Sequence, residues 1–194
     1  MSQTAASPSL PTIAFIGGGN MASAIIGGLI HQGQPASQIE VVEPWAEARE
    51  ALRKNYGIEA QAEAGPALQR AGIVVWAVKP QTFKDAAAQA KAHTQAALHL
   101  SVAAGIRSDS IAQWLGSERV VRTMPNTPAL VGKGMSALYA RPAVTAAERQ
   151  SVEAIMASTG EFLWVESEKQ LDAVTALSGS GPAYVFYFLE AMTR

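Results

Sequence analysis

No cysteine occurs among the 194 residues. Its absence excludes disulfides, a catalytic thiol and any cysteine-ligated zinc or iron–sulfur site. Histidine is nearly as scarce. The three present, His31, His93 and His99, contain no pair at metal-ligand spacing, so no metal centre is expected. The net charge is −1 and blocks of one sign are missing, which leaves no electrostatic basis for a nucleic-acid or anionic-membrane partner. Long apolar runs are missing too. The longest near the middle, residues 73–78, is far too short to cross a bilayer. The first 12 residues are rich in Ser, Ala and Pro. They lack both a basic start and an apolar stretch, and read as a flexible leader instead of a signal peptide. With no cysteine to oxidise, the chain fits a cytoplasmic setting. What it has in quantity is hydrophobic residues, 48% against 16% charged, the balance of a folded protein.

Along the chain, short apolar runs alternate with stretches of helical spacing. Residues 13–16 read as a buried strand ending in three glycines, and residues 20–31 as a helix with Ile25, Ile26, Leu29 and Ile30 on its apolar side. Further strands are expected at 39–42, 73–78, 98–102, 120–121, 135–139 and 162–165. Further helices are expected at 45–55, 64–70, 82–92, 108–115 and 146–158. Ser108 reads as a helix cap, and Thr145-Ala-Ala-Glu148 as a capping box. Strands alternating with helices of about ten residues predict βαβ units in a doubly wound α/β sheet. The pattern changes near Ser167. From there the chain reads as helical, broken by Ser178-Gly-Ser-Gly-Pro182. Residues 183–194 are apolar on most sides and need partners that the given residues do not supply. The expected division is therefore a leader (1–12), an α/β domain (13–167) and the opening of an all-α domain (168–194) that continues further.

The turn after the first strand carries the clearest chemical signal. Gly17-Gly-Gly19-Asn-Met-Ala22 fits G-x-G-x-x-G/A, placed between a strand and a helix, the setting in which that pattern means dinucleotide binding. Gly17 permits the tight turn, Gly19 lets the backbone approach a pyrophosphate, and Ala22 keeps helix and strand close. The helix start offers unpaired N–H groups to the anion. Gly17, Gly19, Asn20 and Met21 are the cofactor-binding candidates here, and the domain reads as Rossmann-type. Glu43 ends the second strand, where an acid accepts ribose hydroxyls and repels a 2′-phosphate. That favours NADH over NADPH, although Arg49 stands near enough in sequence to reach a phosphate.

Four segments, in this order, resemble the pyrroline-5-carboxylate reductases: Ile16-Gly-Gly-Gly-Asn-Met21, Ala77-Val-Lys-Pro-Gln81, Arg122-Thr-Met-Pro-Asn-Thr-Pro128 and Leu177-Ser-Gly-Ser-Gly-Pro-Ala-Tyr184. Ser101-Val-Ala-Ala-Gly105 fits as a fifth. The resemblance implies reduction of Δ1-pyrroline-5-carboxylate to L-proline, the last step of proline biosynthesis, with hydride from NADPH or NADH. It also implies a C-terminal helical domain that forms a homodimer or a higher homo-oligomer and completes each site. It places Val78, Lys79, Pro80, Ala103, Ala104 and Asn126 against the cofactor, and Glu168, Ser178 and Ser180 near the imine substrate. Local readings stand beside these. Lys79 is also a plausible exposed lysine, Asn126 can serve a turn, Arg122 can pair with an internal acid, and Ser180 can cap a helix. Two positions depart from the family. Ala64 stands where an asparagine commonly contacts the adenosine half, and Gly72 where an aspartate often precedes the strand.

A protonated imine is already electrophilic, which suits the lack of any Ser-His-Asp set. The task is to hold hydride donor and imine together and keep water out. No catalytic proton donor is assigned among these residues, and the three histidines read as structural or solvent-facing. Two other readings stay open: a different Rossmann NAD(P)-dependent dehydrogenase, and a non-catalytic dinucleotide-binding sensor.

Overall fold

Ile13-Ala-Phe-Ile16 is apolar at every position because it runs through the middle of a sheet covered on both faces. In the computed structural model, which describes residues 10–194, seven strands form one sheet; most of the expected leader lies outside the described residues. The strands are β1 (Ile13–Ile16), β2 (Ile39–Val42), β3 (Ile73–Trp76), β4 (Leu98–Ser101), β5 (Val120–Met124), β6 (Gly134–Ala140) and β7 (Gly160–Trp164). They lie in the order β2-β1-β3-β4-β5-β6-β7. Strands β1 to β5 are mutually parallel, β6 runs antiparallel to β5, and β7 is parallel to β6. The reversal follows from length. Only residues 125–133 separate β5 from β6, too few for the crossover that a parallel pair requires.

The helices are α1 (Asn20–His31), α2 (Ala46–Tyr56), α3 (Phe83–Ala90), α4 (Ser108–Leu115), α5 (Ala146–Ala157), α6 (Gln170–Val174) and α7 (Gly181–Thr193). On one face of the sheet, Ile13 and Phe15 meet Ile25, Ile26 and Leu29 of α1 and Val152, Ile155 and Met156 of α5. On the other, Val74 and Trp76 meet Phe83 and Ala87 of α3 and Ile111 and Leu115 of α4. The Trp76 and Phe83 rings stack with centroids 5.0 Å apart. Each buried Val, Ile, Leu, Phe or Met side chain among them contributes roughly 1.5–3 kcal/mol.

The capping box forms as expected. Thr145 accepts the Glu148 N–H at 3.3 Å, and Glu148 accepts the Thr145 N–H at 2.8 Å. Thr145→Ala is expected to cost about 1 kcal/mol, measured by urea denaturation; no change in midpoint would show that the box is redundant with the Arg119–Glu148 contact at 2.5 Å.

Two local expectations are corrected. Ser108 is not the cap of α4. Arg107 holds the cap position, and Ser108 is the first helical residue, its hydroxyl turned toward Glu168. Nor does the glycine–serine segment break the C-terminal helix. Residues Thr175–Gly179 form a π-helical turn, and the Ser180 N–H donates to the Thr175 carbonyl at 2.9 Å. The wider turn absorbs Gly179 without opening the backbone, and α7 follows directly.

Candidate functional site

The chain passes from β1 outward to β2 on one side and then crosses to β3 on the other. That change of direction opens a crevice above the carboxyl end of β1, the usual ligand position in such sheets. Gly17 stands at its base with φ +96°, and a Cβ there would lie 2.5 Å from the Ala77 carbonyl oxygen. Gly19 differs. Its backbone is extended (φ −74°, ψ −167°), and a Cβ built on it would meet no atom of the chain within 4 Å. Beside this open backbone, α1 begins with no side-chain cap bond and no acid in its first turn. Free N–H groups and the positive helix end therefore face an unobstructed space. These features fit a pyrophosphate.

Glu43 is placed differently from its expected role. It is 6% exposed. One carboxylate oxygen accepts the Gly18 N–H at 2.7 Å and the other the Trp45 N–H at 2.9 Å. The side chain is folded under the glycine turn and holds its shape, so direct bonding to ribose hydroxyls is not the geometry seen. Arg49 donates to the Glu43 and Pro44 carbonyls, which fixes it close to the end of β2.

A cleft of about 330 Å³ lies next to the start of α1. Asn20 and Met21 form one wall, Val102 the end of β4, and Met124, Pro125, Asn126 and Thr127 the opposite wall, with Gly179 closing one side. Of the expected residues, Asn20, Met21 and Asn126 thus come together. Val78 packs beside Gly17, within 3.2 Å of where a Cβ would stand there, while Lys79 and Pro80 are exposed past the end of β3. Ala103 turns its methyl into the second core cluster, which leaves its backbone as the part that could face a ligand. Ala104 is half-buried at the same strand end.

Asn126 joins two distant segments. Its Oδ1 accepts the Met135 N–H at 3.0 Å, and its Nδ2 donates to the Ser178 hydroxyl at 3.0 Å. The amide is thereby oriented, and the proton of Ser178 is left free to donate elsewhere. The Ser180 hydroxyl donates to the Thr175 carbonyl and is not a helix cap. Glu168 is bonded to two other elements of the chain. One of its oxygens accepts both the Ser108 N–H (2.6 Å) and Arg122 Nη1 (2.7 Å), and the other accepts the Ser108 hydroxyl at 2.9 Å. Burial works against its charge, but the Arg122 guanidinium and the Ser108 donors outweigh it and hold the carboxyl below the usual glutamate range. Both oxygens of Glu168 are thus bonded within the chain, to Arg122 and to Ser108. Val102, Met124 and Pro125 lie in the family-like motifs of the sequence, but they and Leu130 were given no site role there, since apolar walls carry no chemical signature. Among the described residues no His/Asp/Glu group has the makings of a metal site. No helix among them is long and apolar enough to cross a membrane.

A glycine turn, an uncapped helix start and a crevice at the sheet's switch point define a Rossmann-type dinucleotide-binding protein. Residues 12–105 match the family described as NADP oxidoreductase coenzyme F420-dependent, and residues 168–194 match the pyrroline-5-carboxylate reductase dimerisation family. The pyrroline-5-carboxylate reductase of Pseudomonas aeruginosa is 47% identical over 187 residues, covering 95% of this chain and 68% of that protein. The solved structure of a pyrroline-5-carboxylate reductase from Coxiella burnetii superposes with a TM-score of 0.87 at 36% identity, over 94% of this chain and 68% of that one. The Plasmodium falciparum pyrroline carboxylate reductase, solved with NADP bound, gives a TM-score of 0.82 at 28% identity, over 94% and 68%. The chain belongs to the pyrroline-5-carboxylate reductase family.

Proposed function

We propose that the protein reduces Δ1-pyrroline-5-carboxylate to L-proline. The observation that carries this is the open backbone face at Gly19 over the uncapped start of α1, directly beside the cleft lined by Asn20 and Asn126. NAD(P)H, when bound, supplies the hydride that the imine carbon accepts. Gly17, Gly19, Asn20 and Met21 hold its pyrophosphate side; Val78, Lys79, Pro80, Ala104 and Asn126 border the rest. The apolar walls Val102, Met124 and Pro125 exclude water from the reacting pair. Ser178, oriented by Asn126, is free to donate a hydrogen bond from its hydroxyl to the substrate carboxylate. Residues 13–167 act as the cofactor domain, and residues 168–194 open the helical domain. The exposed Tyr184, Phe186, Tyr187 and Phe188 of α7 supply the surface for a homodimer or a higher homo-oligomer. The setting is cytoplasmic.

NADH is the preferred donor in this reading. Glu43 puts a negative charge at the end of β2 even though its oxygens are committed to the backbone, and that charge opposes a 2′-phosphate. The test is oxidation of NADH and NADPH with pyrroline-5-carboxylate by the full-length protein. Turnover with a modest NADH preference is expected, and Glu43→Gln is expected to move the kcat/KM ratio toward NADPH by about threefold, the scale of one partly screened charge. No turnover with either donor sinks the reductase reading. Equal or better use of NADPH by the unmodified protein sinks only the NADH preference.

A further inference from the structure

Two pins hold the segment between β7 and α7 against the sheet. At its root, Glu168 reaches Ser108 at the start of α4 and Arg122 on β5. Near its far end, Ser178 meets Asn126, and Gly179 lies so close to Met124 that a Cβ there would stand 2.7 Å from the methionine methyl. The root pin is built as a buried device. The Arg122 and Glu168 side chains are 8% and 14% exposed. Arg122 Nε is buried without a partner, so Glu168 is the only carboxylate paired with this guanidinium among the described residues. The Ser108 hydroxyl also accepts from Arg141, just past β6, at 3.2 Å. One carboxylate thus ties α4, β5, the end of β6 and the helical segment together.

We infer that Glu168 is a positioning residue for the imine: by fixing the root of the helical segment, it sets where the π-helical turn delivers Ser178 beside the cleft. The reasoning is geometric. The segment has few other attachments; Leu171 is its one buried hydrophobic residue between Glu168 and Ser178. A single π-helical turn is rare and is frequent at functional sites, and here it lies between the two pins and carries Ser178. Without the root pin, only the Asn126–Ser178 bond, the Gly179–Met124 contact and buried Leu171 are left to locate the substrate side. The glycine turn and the start of α1 lie outside the root pin of Glu168, Ser108 and Arg122, so loss of that pin is expected to leave the hold on the pyrophosphate in place. The inference rests on the reductase reading above.

The experiment compares the full-length protein with Glu168→Gln, which keeps the side-chain shape but removes the charge that Arg122 requires. The expected result is a rise of about tenfold in KM for pyrroline-5-carboxylate, the effect of a sub-ångström misplacement. The cofactor dissociation constant, read by tryptophan fluorescence, stays within a factor of two. Ser108→Ala, which removes one hydroxyl and leaves the ion pair, is expected to raise KM about threefold, and it decides the question by the same split if Glu168→Gln does not fold. An unchanged KM overturns the inference. So does a parallel loss of cofactor affinity, which would mark the pair as general scaffolding. Absence of turnover in the unmodified protein would instead defeat the reductase reading, and the two failures are distinguishable.

Discussion

Gly19→Val is expected to weaken binding of both NADH and NADPH at least about 100-fold, roughly 3 kcal/mol, while leaving the melting temperature close to that of the unmodified protein. The two halves of this expectation have separate causes. The fold survives because Gly19 has an extended backbone that a β-branched residue adopts readily, and because a Cβ there meets no atom of the chain within 4 Å. Binding fails because that empty space is the approach route of the pyrophosphate to the start of α1, and two methyl groups would fill it. Gly17 serves as the contrasting position. With φ +96° and the Ala77 oxygen 2.5 Å from a would-be Cβ, Gly17→Val is expected to damage the fold itself. Fluorescence titration using the four tryptophans, with a thermal melt on the same sample, checks both variants. Unaltered affinity in a folded Gly19→Val protein would refute the assignment of the pyrophosphate to this turn.

How legible each feature was in the amino-acid order depended on whether its cause was local. The first helix and the first five strands were legible because burial on one or both faces writes itself as apolar periodicity, and the starts of all five fell within one residue of expectation. The glycine turn was legible because its requirements are stated in residue types: no side chain at Gly17, none at Gly19, a small one at Ala22. Strand ends were less so. Residues 73–78 read as one apolar run, but the strand stops at Trp76, since Lys79-Pro80 opens a 3₁₀ turn that an apolar count does not register. Ala103 and Ala104 look alike in sequence. Ala103 shares the two-residue period of Ser101, whose hydroxyl accepts its N–H, and turns inward, while Ala104 does not.

The site residues whose bonding sequence did not give were those whose partner lies far along the chain. Glu43 and Gly18 are 25 residues apart, Asn126 and Ser178 are 52, and Glu168 and Ser108 are 60. The glycine-turn pattern placed Glu43 near the site, and resemblance to a family placed Asn126, Ser178 and Glu168 there. Neither said that Glu43 braces the turn, that Glu168 is bonded to Arg122, or that the glycine–serine segment threads through a π-helical turn. No local pattern encodes a bond to the i+5 residue, and no composition records which way a carboxylate folds. Side chains bound to one another in the tertiary structure are, in this protein, the part of the site that had to be seen.

The same dependence on the tertiary setting makes acid the condition to which the sheet is most sensitive. His99 lies on β4, in register with Val74 on one side and Val120 on the other, and is 1% exposed. The Trp76 indole N–H points at its Nδ1 at 3.2 Å, which requires a lone pair there and leaves the ring proton on Nε2. Burial, with a smaller push from the Arg119 charge, lowers its pKa from 6.5 to about 4. The unfolded chain therefore takes up a proton that the folded chain refuses. The stabilisation is complete above about pH 6.5 and is lost as the pH falls toward 4, in all about 3 kcal/mol. Against a typical total of roughly 5–15 kcal/mol, that is a large share. Protonation would also set two donors, the indole N–H and the new Nδ1–H, against each other inside the sheet. Glu148 and Glu168, whose pKa values are lowered, add acid sensitivity further down, as they too bind protons more readily in the unfolded chain. His99→Gln separates the contributions, because an amide oxygen can accept the indole N–H and cannot titrate. Urea midpoints measured from pH 7.5 to 4.5 should fall steeply for the unmodified protein and much less for His99→Gln. If the two curves ran parallel across that range, the histidine would not be the group that acid attacks.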